Sequence, residues 1–106
     1  MGRSYLGELE ELVLLAVAVL AHGAYGVTIA EEIKQRANRV VSLSAVHISL
    51  YRLEEKGYLT SELGGATLTR GGRRKRLFSI TSSGRQILSE MYQTRNEFWK
   101  AIPSSI

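Results

Sequence analysis

The 106-residue sequence contains no cysteine and only one proline. The absence of cysteine excludes disulfides and thiolate metal sites, and it makes a reducing interior the simplest compartment. A single proline together with a hydrophobic content of 44 % is typical of an ordered globular chain and not of a disordered one. A chain of this length can form one domain with one modest core.

Long hydrophobic runs are also missing. The longest is LVLLAVAVLA at residues 12–21, whereas a membrane-spanning helix needs about 20 apolar residues. A signal peptide is disfavoured because Glu8, Glu10 and Glu11 occupy the place of its positively charged N-terminal region. We therefore expect a cytoplasmic protein without a membrane partner.

Motifs for catalysis and metal binding are equally scarce. His22 and His47 are the only histidines, and neither has a carboxylate at metal-ligand spacing. We expect His22 to end a helix, where a cation is favourable. The sequence has no G-x-S-x-G nucleophile motif, and its GGATLTRGG stretch lacks the lysine-serine/threonine ending of a P-loop. These absences predict that the protein is not an enzyme and has no metal or cofactor.

Positive charge, in contrast, is concentrated in one place. The net charge is +4, and five of the fourteen basic residues lie between residues 70 and 76. Without these five, nine basic residues would face ten acidic ones, a balance of −1. The five residues are Arg70, Arg73, Arg74, Lys75 and Arg76. A basic site on an otherwise neutral chain indicates a polyanionic partner.

The first part of the chain has the periodicity of helices. The first helix is predicted at residues 6–22, with Gly23 as its C-terminal cap. Its apolar residues cover most of the circumference, so we expect it to be buried on more than one side, which hints at a second subunit. The second helix is predicted to start at Gly26 or at a Thr28–Glu31 capping box and to end near Asn38.

A third helix is predicted from Leu43 to Lys56, with Ser42 as N-cap and Gly57 as the stop. One face combines the apolar residues Leu43, Val46, Leu50 and Leu53. The opposite face carries Ser44, His47, Ile48, Tyr51 and Arg52. Two short helices in which the second has a small and polar outer face match a helix-turn-helix. An exposed helix face without a function is the alternative.

Two short stretches of alternating hydrophobicity follow, at residues 58–63 and 77–81, on either side of a segment rich in glycine and threonine. They predict a β-hairpin, with the basic residues at its tip and on its returning arm. A last helix is predicted to start after Ser82 or Ser83 as N-cap and to run to about Ile102, just before the proline.

Helix, helix-turn-helix, two-stranded wing and C-terminal helix together make a winged helix. The expected fold is therefore mainly α with a small β-hairpin, in the α+β class. Residues 1–82 would form the winged helix-turn-helix domain, and residues 83–106 would form a C-terminal dimerisation helix within the same compact unit.

The blocks LGELEELVLLAVAVL, AYGVTIAEEI, VSLSAVHISLYRLEEKGYL and GGRRKRLFSITSSGRQIL resemble, in order and spacing, the PadR family of transcriptional regulators. The resemblance covers roughly residues 5–90 and is greatest to the short-tailed subfamily, which has a single C-terminal helix. It implies a homodimer that binds a palindromic operator, in most cases as a repressor. His47 departs from the tyrosine usual in the family, and Leu77 or Phe78 stands where a tyrosine is frequent.

The outer face of the third helix and the wing are the predicted DNA-binding surfaces. The N-terminal half of the helix should enter the major groove, and the cations of the wing should contact phosphates. The predicted contact residues are Ser42, Ser44, His47, Ile48, Tyr51, Arg52, Arg70, Arg73, Arg74, Lys75 and Arg76. A solvated charged loop is the alternative for the wing.

The predicted dimer interface joins the first helix to an apolar seam on the C-terminal helix. Its residues are Leu12, Leu88, Met91, Arg95, Phe98 and Ile102. An intramolecular packing face is the alternative. For Trp99 we favour core or interface packing, although the resemblance also implies a planar aromatic effector, because multidrug-sensing relatives stack such a tryptophan on planar drugs.

Two further functions are compatible with the sequence. One is a non-specific architectural DNA-binding protein, which also needs only a basic wing. Competition with unrelated DNA separates it from an operator-specific regulator. The other is a winged helix that binds a protein and no DNA, and the concentrated basic segment argues against it.

Overall fold

The computed structural model describes residues 6–64 and 75–104. Within these ranges the chain forms four helices and an antiparallel pair of strands. In chain order the elements are α1 (Glu8–Leu20), α2 (Gly26–Ala37), α3 (Leu43–Glu55), β1 (Leu59–Leu63), β2 (Arg76–Ile80) and α4 (Ser82–Ala101). The predicted winged helix-turn-helix, mainly α with a β-hairpin and followed by a C-terminal helix, is confirmed.

All six elements contribute to the apolar core. The buried side chains include Val13, Leu14 and Val17 of α1, Ile29 and Ile33 of α2, Val46, Leu50 and Leu53 of α3, Leu59 of β1, Phe78 of β2 and Ile87 of α4. Removal of this apolar surface from water is the main stabilising term. Among the four helices α4 contributes least, because Ile87 is its one buried apolar side chain.

The hairpin is attached to the helical body at its root. The Phe78 N–H of β2 donates a hydrogen bond of 2.8 Å to the carbonyl of Ala24, in the link between α1 and α2. The Thr81 N–H, just after β2, donates to the carbonyl of Tyr58, just before β1, at 3.0 Å. These backbone bonds fix where the wing leaves the body.

The first helix is shorter than the periodicity predicts. It spans Glu8–Leu20, and Ala21 is its C-cap with φ 57°, so Gly23 is not the cap. His22 therefore lies outside the helix and does not end it. The helix ends early because Ala21 already has a positive φ. Gly23 also has a positive φ, of 76°, but it lies in the link after the helix.

The predicted Thr28–Glu31 capping box is wrong, and α2 starts at Gly26, the second predicted position. Tyr25 is the N-cap, and its N–H donates to the Thr28 hydroxyl at 3.1 Å. The threonine therefore serves the residue three positions before it.

The N-cap of α4 is also one residue earlier than predicted. Thr81, and not Ser82 or Ser83, accepts a hydrogen bond from the Gly84 N–H at 3.0 Å. Since β2 ends at Ile80, the helix begins as soon as the strand ends. The predicted caps of α3 are confirmed: Ser42 accepts from the Ala45 N–H, and Gly57 follows with φ 86°.

Leu43 is an exception on the apolar face of α3. Its side chain is 45 % exposed, whereas Val46, Leu50 and Leu53 are fully buried. Leu43 is the first residue of the helix, and it lies beside the start of α2, where its Cδ2 is 3.5 Å from the position of a Cβ on Gly26. It therefore lies at the edge of the core.

Three carboxylates in the first turn of α1 connect it to the rest of the fold. Glu10 is buried and pairs with Lys56, which follows α3, at 2.9 Å. Glu8 pairs with Arg39 in the link between α2 and α3 at 3.0 Å. Glu11 pairs with Arg95 of α4 at 2.9 Å. Only the Glu10–Lys56 pair is buried enough to contribute more than a few tenths of a kcal/mol.

Candidate nucleic-acid interface

The outer face of α3 is exposed as predicted. Ser44, His47, Ile48, Tyr51 and Arg52 all lie on it, while the opposite face packs into the core. Ser42, at the start of the helix, uses its hydroxyl to accept from the Ala45 N–H at 3.1 Å. Its predicted role in DNA contact therefore competes with helix capping.

His47 packs directly over the start of α2. A Cβ placed on Gly26 would lie 2.9 Å from Nε2 of His47, so the imidazole occupies the space that the glycine leaves free. The ring of Tyr51 lies 6.4 Å from that of His47, centroid to centroid, at an interplanar angle of 31°. The imidazole is thus held between α2 and the next turn of its own helix.

The loop end of β2 is held by a tyrosine that the sequence analysis missed. The Lys75 ammonium donates to the Tyr25 hydroxyl at 3.2 Å and lies 4.4 Å from the centroid of its ring. Both a hydrogen bond and a cation–π contact therefore join the residue before β2 to the N-cap of α2. No periodicity marks this pair, because the two residues are 50 positions apart.

Arg76, the first residue of β2, is also engaged within the chain. Its Nη1 donates to the Ser61 hydroxyl of β1 at 3.0 Å, and that hydroxyl donates to a carboxylate oxygen of Glu54 at 2.8 Å. A guanidinium has five donors, so this bond leaves others for a partner. The remaining predicted wing residues, Arg70, Arg73 and Arg74, lie outside the described residues.

The helix α3 and the wing both contact the start of α2. His47 of α3 packs on Gly26. Lys75, at the loop end of β2, contacts Tyr25, the residue before Gly26. The two surfaces predicted separately are therefore neighbours. We call the exposed residues that the two contribute the α3–wing surface (Ser44, His47, Ile48, Tyr51, Arg52 and Lys75).

The residues predicted for a dimer interface fall into two groups. Leu12, Leu88 and Met91 are partly buried against the core of their own chain. Phe98 and Ile102, with exposures of 71 % and 45 %, pack on no core. Arg95 separates the groups and pairs with Glu11 of the same chain.

The distal half of α4 extends away from the body. Every residue from Tyr92 to Ile102 is exposed, and Trp99, at 71 %, belongs to this part. The prediction that Trp99 packs in the core is therefore wrong for the single chain, because α4 makes no buried contact with the core from Tyr92 onwards. Interface packing remains a prediction.

An apolar strip on α1 was not singled out from the sequence. Leu15 and Val19 are 41 % and 49 % exposed and line a shallow apolar groove between α1 and α2, with Ile33 at its floor. The signal was present, since α1 is apolar around most of its circumference, but periodicity alone does not say which side stays uncovered.

The comparison with known protein families decides the assignment. The model of the transcriptional regulator PadR-like family matches residues 14–90, which span the described winged helix from the middle of α1 to the first half of α4. The chain belongs to the PadR-like family of transcriptional regulators. Among proteins of curated function, no sequence matches it significantly.

Solved structures share the PadR-like fold. A PadR-like transcription factor from Bacteroides fragilis superposes with a TM-score of 0.69 at 23 % identity, covering 87 % of this chain and 84 % of the other. A PadR family regulator from Clostridium difficile gives 0.69 at 22 % identity, with coverages of 86 % and 91 %. Bacillus subtilis PadR, solved in complex with operator DNA, gives 0.66 at 15 % identity, with coverages of 90 % and 60 %.

The PadR-like family is one of transcription regulators and not of enzymes. In residues 6–64 and 75–104, no three His, Asp or Glu side chains come together as a metal site would require. In the same part of the chain, no helix is both long and apolar enough to cross a membrane.

Proposed function

We propose that this PadR-like regulator is a homodimer that binds a palindromic operator and represses transcription. The observation that carries the proposal is the meeting of α3 and the wing at the start of α2. His47 on Gly26 and Lys75 on Tyr25 bring a polar helix face and a basic hairpin together on one side of the fold. A helix in the major groove with cations beside it on the phosphates matches this arrangement.

The α3–wing surface and the other basic residues of the wing have distinct roles in the proposal. Ser44 and His47 would donate to or accept from base edges, and Ile48 would contact a thymine methyl group. Tyr51 and Arg52, one turn further along the helix, would reach phosphates. Lys75, Arg76 and the arginines at positions 70, 73 and 74 would supply affinity that depends on salt and hardly on sequence.

The fold similarity to a DNA complex supports the same partner. The Bacillus subtilis PadR structure contains operator DNA, and we extend that class of partner, double-stranded DNA, to this chain. Repression is the mode that the resemblance to the family implies.

Exposed apolar surface supports the homodimer. In the single chain, water contacts Phe98 and Ile102 on the distal half of α4 and Leu15 and Val19 on α1. Burial of such apolar surface contributes roughly 25 cal/mol per Å² of stabilising free energy. A second copy would cover both surfaces, since a two-fold interface uses the same patch twice. A two-fold axis would also place two recognition helices about 34 Å apart, one turn of DNA.

Trp99 carries the proposal of a planar aromatic effector. It is the only tryptophan in the chain, and its indole is largely exposed beside the equally exposed Phe98. In a dimer built on the distal half of α4 these rings would lie near the axis, where a flat ligand could stack between them. Quenching of Trp99 emission by planar dyes tests this directly.

Competition between DNAs tests the proposed function. A labelled operator, obtained by selection from random sequences, is titrated with the protein at fixed salt against an excess of unrelated duplex. We expect the operator to be bound at least about 10³-fold more tightly. Equal affinities would instead identify a non-specific architectural protein, and no salt-dependent binding at all would point to a protein-interaction module.

A further inference from the structure

We propose that Tyr25 is a positioning residue that sets the direction in which the basic wing leaves the body. The inference rests on the proposed function, because it concerns how the wing meets DNA. Tyr25 is not itself part of the recognition helix or of the basic segment. It acts through Lys75, the residue that links the arginines at positions 70, 73 and 74 to strand β2.

The second strand is held at two points, one near the helical body and one at the loop end of the strand. At the root, the Phe78 N–H donates to the Ala24 carbonyl at 2.8 Å. Three residues nearer the basic segment, Lys75 contacts Tyr25, the neighbour of Ala24. Two adjacent residues of the α1–α2 link therefore hold two points of the returning arm, and two points determine a direction.

The Tyr25 backbone is itself immobilised. Its N–H donates to the Thr28 hydroxyl at 3.1 Å, and that hydroxyl donates to the Gly23 carbonyl at 2.9 Å. As the N-cap of α2, Tyr25 also accepts the Ile29 N–H through its carbonyl at 2.9 Å. These bonds hold the backbone from which the Tyr25 ring reaches Lys75 of the hairpin.

The contact has two parts that can be separated by substitution. The ring attracts the Lys75 ammonium from 4.4 Å, and the hydroxyl accepts its hydrogen bond at 3.2 Å. The hydrogen bonds of Arg76, Ser61 and Glu54 hold the first residue of β2 to β1 and α3. Tyr25 therefore connects the loop end of β2 to the start of the first helix of the helix-turn-helix.

The test measures an effect of an uncharged residue on the salt dependence of DNA binding. Because the wing contribution is independent of sequence, the probe is a mixed-sequence duplex of about three helical turns. Its affinity is measured by fluorescence anisotropy over a salt series for the wild type, Tyr25→Leu and Tyr25→Phe. Each protein is also made in a background with Arg70→Ala, Arg73→Ala and Arg74→Ala.

We expect Tyr25→Leu to weaken binding about two- to fivefold, the effect of one exposed cation–π contact. It should also flatten the slope of log K against log salt, although it removes no charge, because misdirected arginines lose phosphates. Tyr25→Phe keeps the ring and should retain most of the affinity. In the arginine-free background, Tyr25→Leu should have a much smaller effect, since only Lys75 and Arg76 of the basic segment remain to be positioned.

Three results would overturn the positioning role. They are an unchanged slope in Tyr25→Leu, an equal loss in the arginine-free background, and a loss in Tyr25→Phe as large as in Tyr25→Leu. The second would make Tyr25 a direct DNA contact, and the third would leave the cation–π contact without a role. If circular dichroism shows that Tyr25→Leu does not fold, Lys75→Met cuts the same contact from the exposed side. Its slope must then fall by more than about 0.9, the value for one lost cation, and a smaller fall rejects the proposal.

The wild-type titration judges the proposed function separately. Salt-dependent binding that weakens in the arginine-free background supports a DNA-binding wing whatever Tyr25 does. If the wild type binds and Tyr25→Leu binds identically, only the positioning role fails. If the wild type shows no salt-dependent binding, the proposed function itself fails.

Discussion

At the scale of single residues, Gly84 sets how closely α4 approaches the hairpin. A Cβ at this position would lie 2.7 Å from Cγ1 of Ile80 and closer still to the carbonyl oxygen of Tyr58. A backbone oxygen cannot move aside as a flexible side chain can. The helix and the hairpin therefore pack as they do because position 84 has no side chain.

The change Gly84→Ala should lower the free energy of unfolding by about 1–3 kcal/mol, the usual effect of an overpacked contact. Urea denaturation measures it. Gly7→Ala is the matched control, because a Cβ on Gly7 meets nothing within 4 Å, and it should change stability by much less. Equal stabilities of the wild type and Gly84→Ala would show that α4 can shift without cost.

Sequence choice is expected to depend on Ser44 and His47. His47→Ala should weaken binding to the operator more than to random DNA, by about 1–3 kcal/mol if one base contact is lost. Ser44→Ala should act in the same direction. Arg52→Ala is the control, since a lost phosphate contact should weaken both complexes equally. If His47→Ala weakened binding to operator and random DNA equally, the imidazole would contact the DNA backbone and not a base.

The exposure of these residues could be predicted, whereas their neighbours could not. A rotation of 100° per residue correctly places the exposed Ile48 on the opposite face from the buried Leu50. The packing of His47 on Gly26, and of Lys75 on Tyr25, joins residues that are far apart in the chain. Such contacts follow from the assembled fold, and local periodicity carries no information about them.

At the scale of elements, the order and type of every helix and strand in the described residues agree with the prediction, whereas several of their ends do not. Long apolar periodicities specify α1 to α4 clearly. The ends depend on single competing groups, such as the Thr28 hydroxyl bonded to the Tyr25 N–H, or Thr81 capping α4 before either serine can. Several candidate caps in a row make the boundary a matter of small energy differences.

The wing is expected to supply the salt-dependent part of DNA affinity. Replacing Arg73, Arg74 and Arg76 with alanine should weaken binding to every sequence and flatten log K against log salt by about 0.9 per lost phosphate contact. Lys34→Ala on α2, outside the predicted surfaces, serves as the control for loss of one charge. An unchanged slope in the triple variant would mean that the basic run does not touch phosphate.

At the scale of the whole molecule, the two halves of α4 have different tasks. The proximal half packs Ile87 in the core and Leu88 and Met91 against it. The distal half, from Tyr92 to Ile102, is exposed in the single chain. The predicted boundary at residues 82–83 follows the start of the helix, but the change from core packing to free surface comes near residue 92.

Truncation after Thr94 should therefore separate folding from assembly. The shortened protein keeps Ile87, Leu88 and Met91, so its winged helix should remain folded, while the loss of Phe98 and Ile102 should leave it a monomer with little operator affinity. Sedimentation measures the oligomeric state, and circular dichroism controls for the fold. A truncated protein that stays dimeric and binds normally would assign the whole interface to α1.

Trp99 provides a second view of assembly in the intact chain. Trp99 is the only tryptophan. Its emission should shift to shorter wavelength as the protein concentration is raised and the dimer forms, because burial removes the indole from water. Leu15→Asp on the outer face of α1 is the matched variant and should prevent the shift. Emission that does not depend on concentration while the protein dimerises would place Trp99 outside the interface.

Selection of bound sequences from random DNA tests the central claim most directly, because it requires specific readout and two-fold assembly at once. A homodimer with one α3–wing surface per chain should enrich an inverted repeat whose half-sites are centred about one helical turn apart, or a multiple of it. The repeat should disappear when the selection is repeated with the chain truncated after Thr94. Recovery of no common sequence, or of a single asymmetric site, would contradict the account.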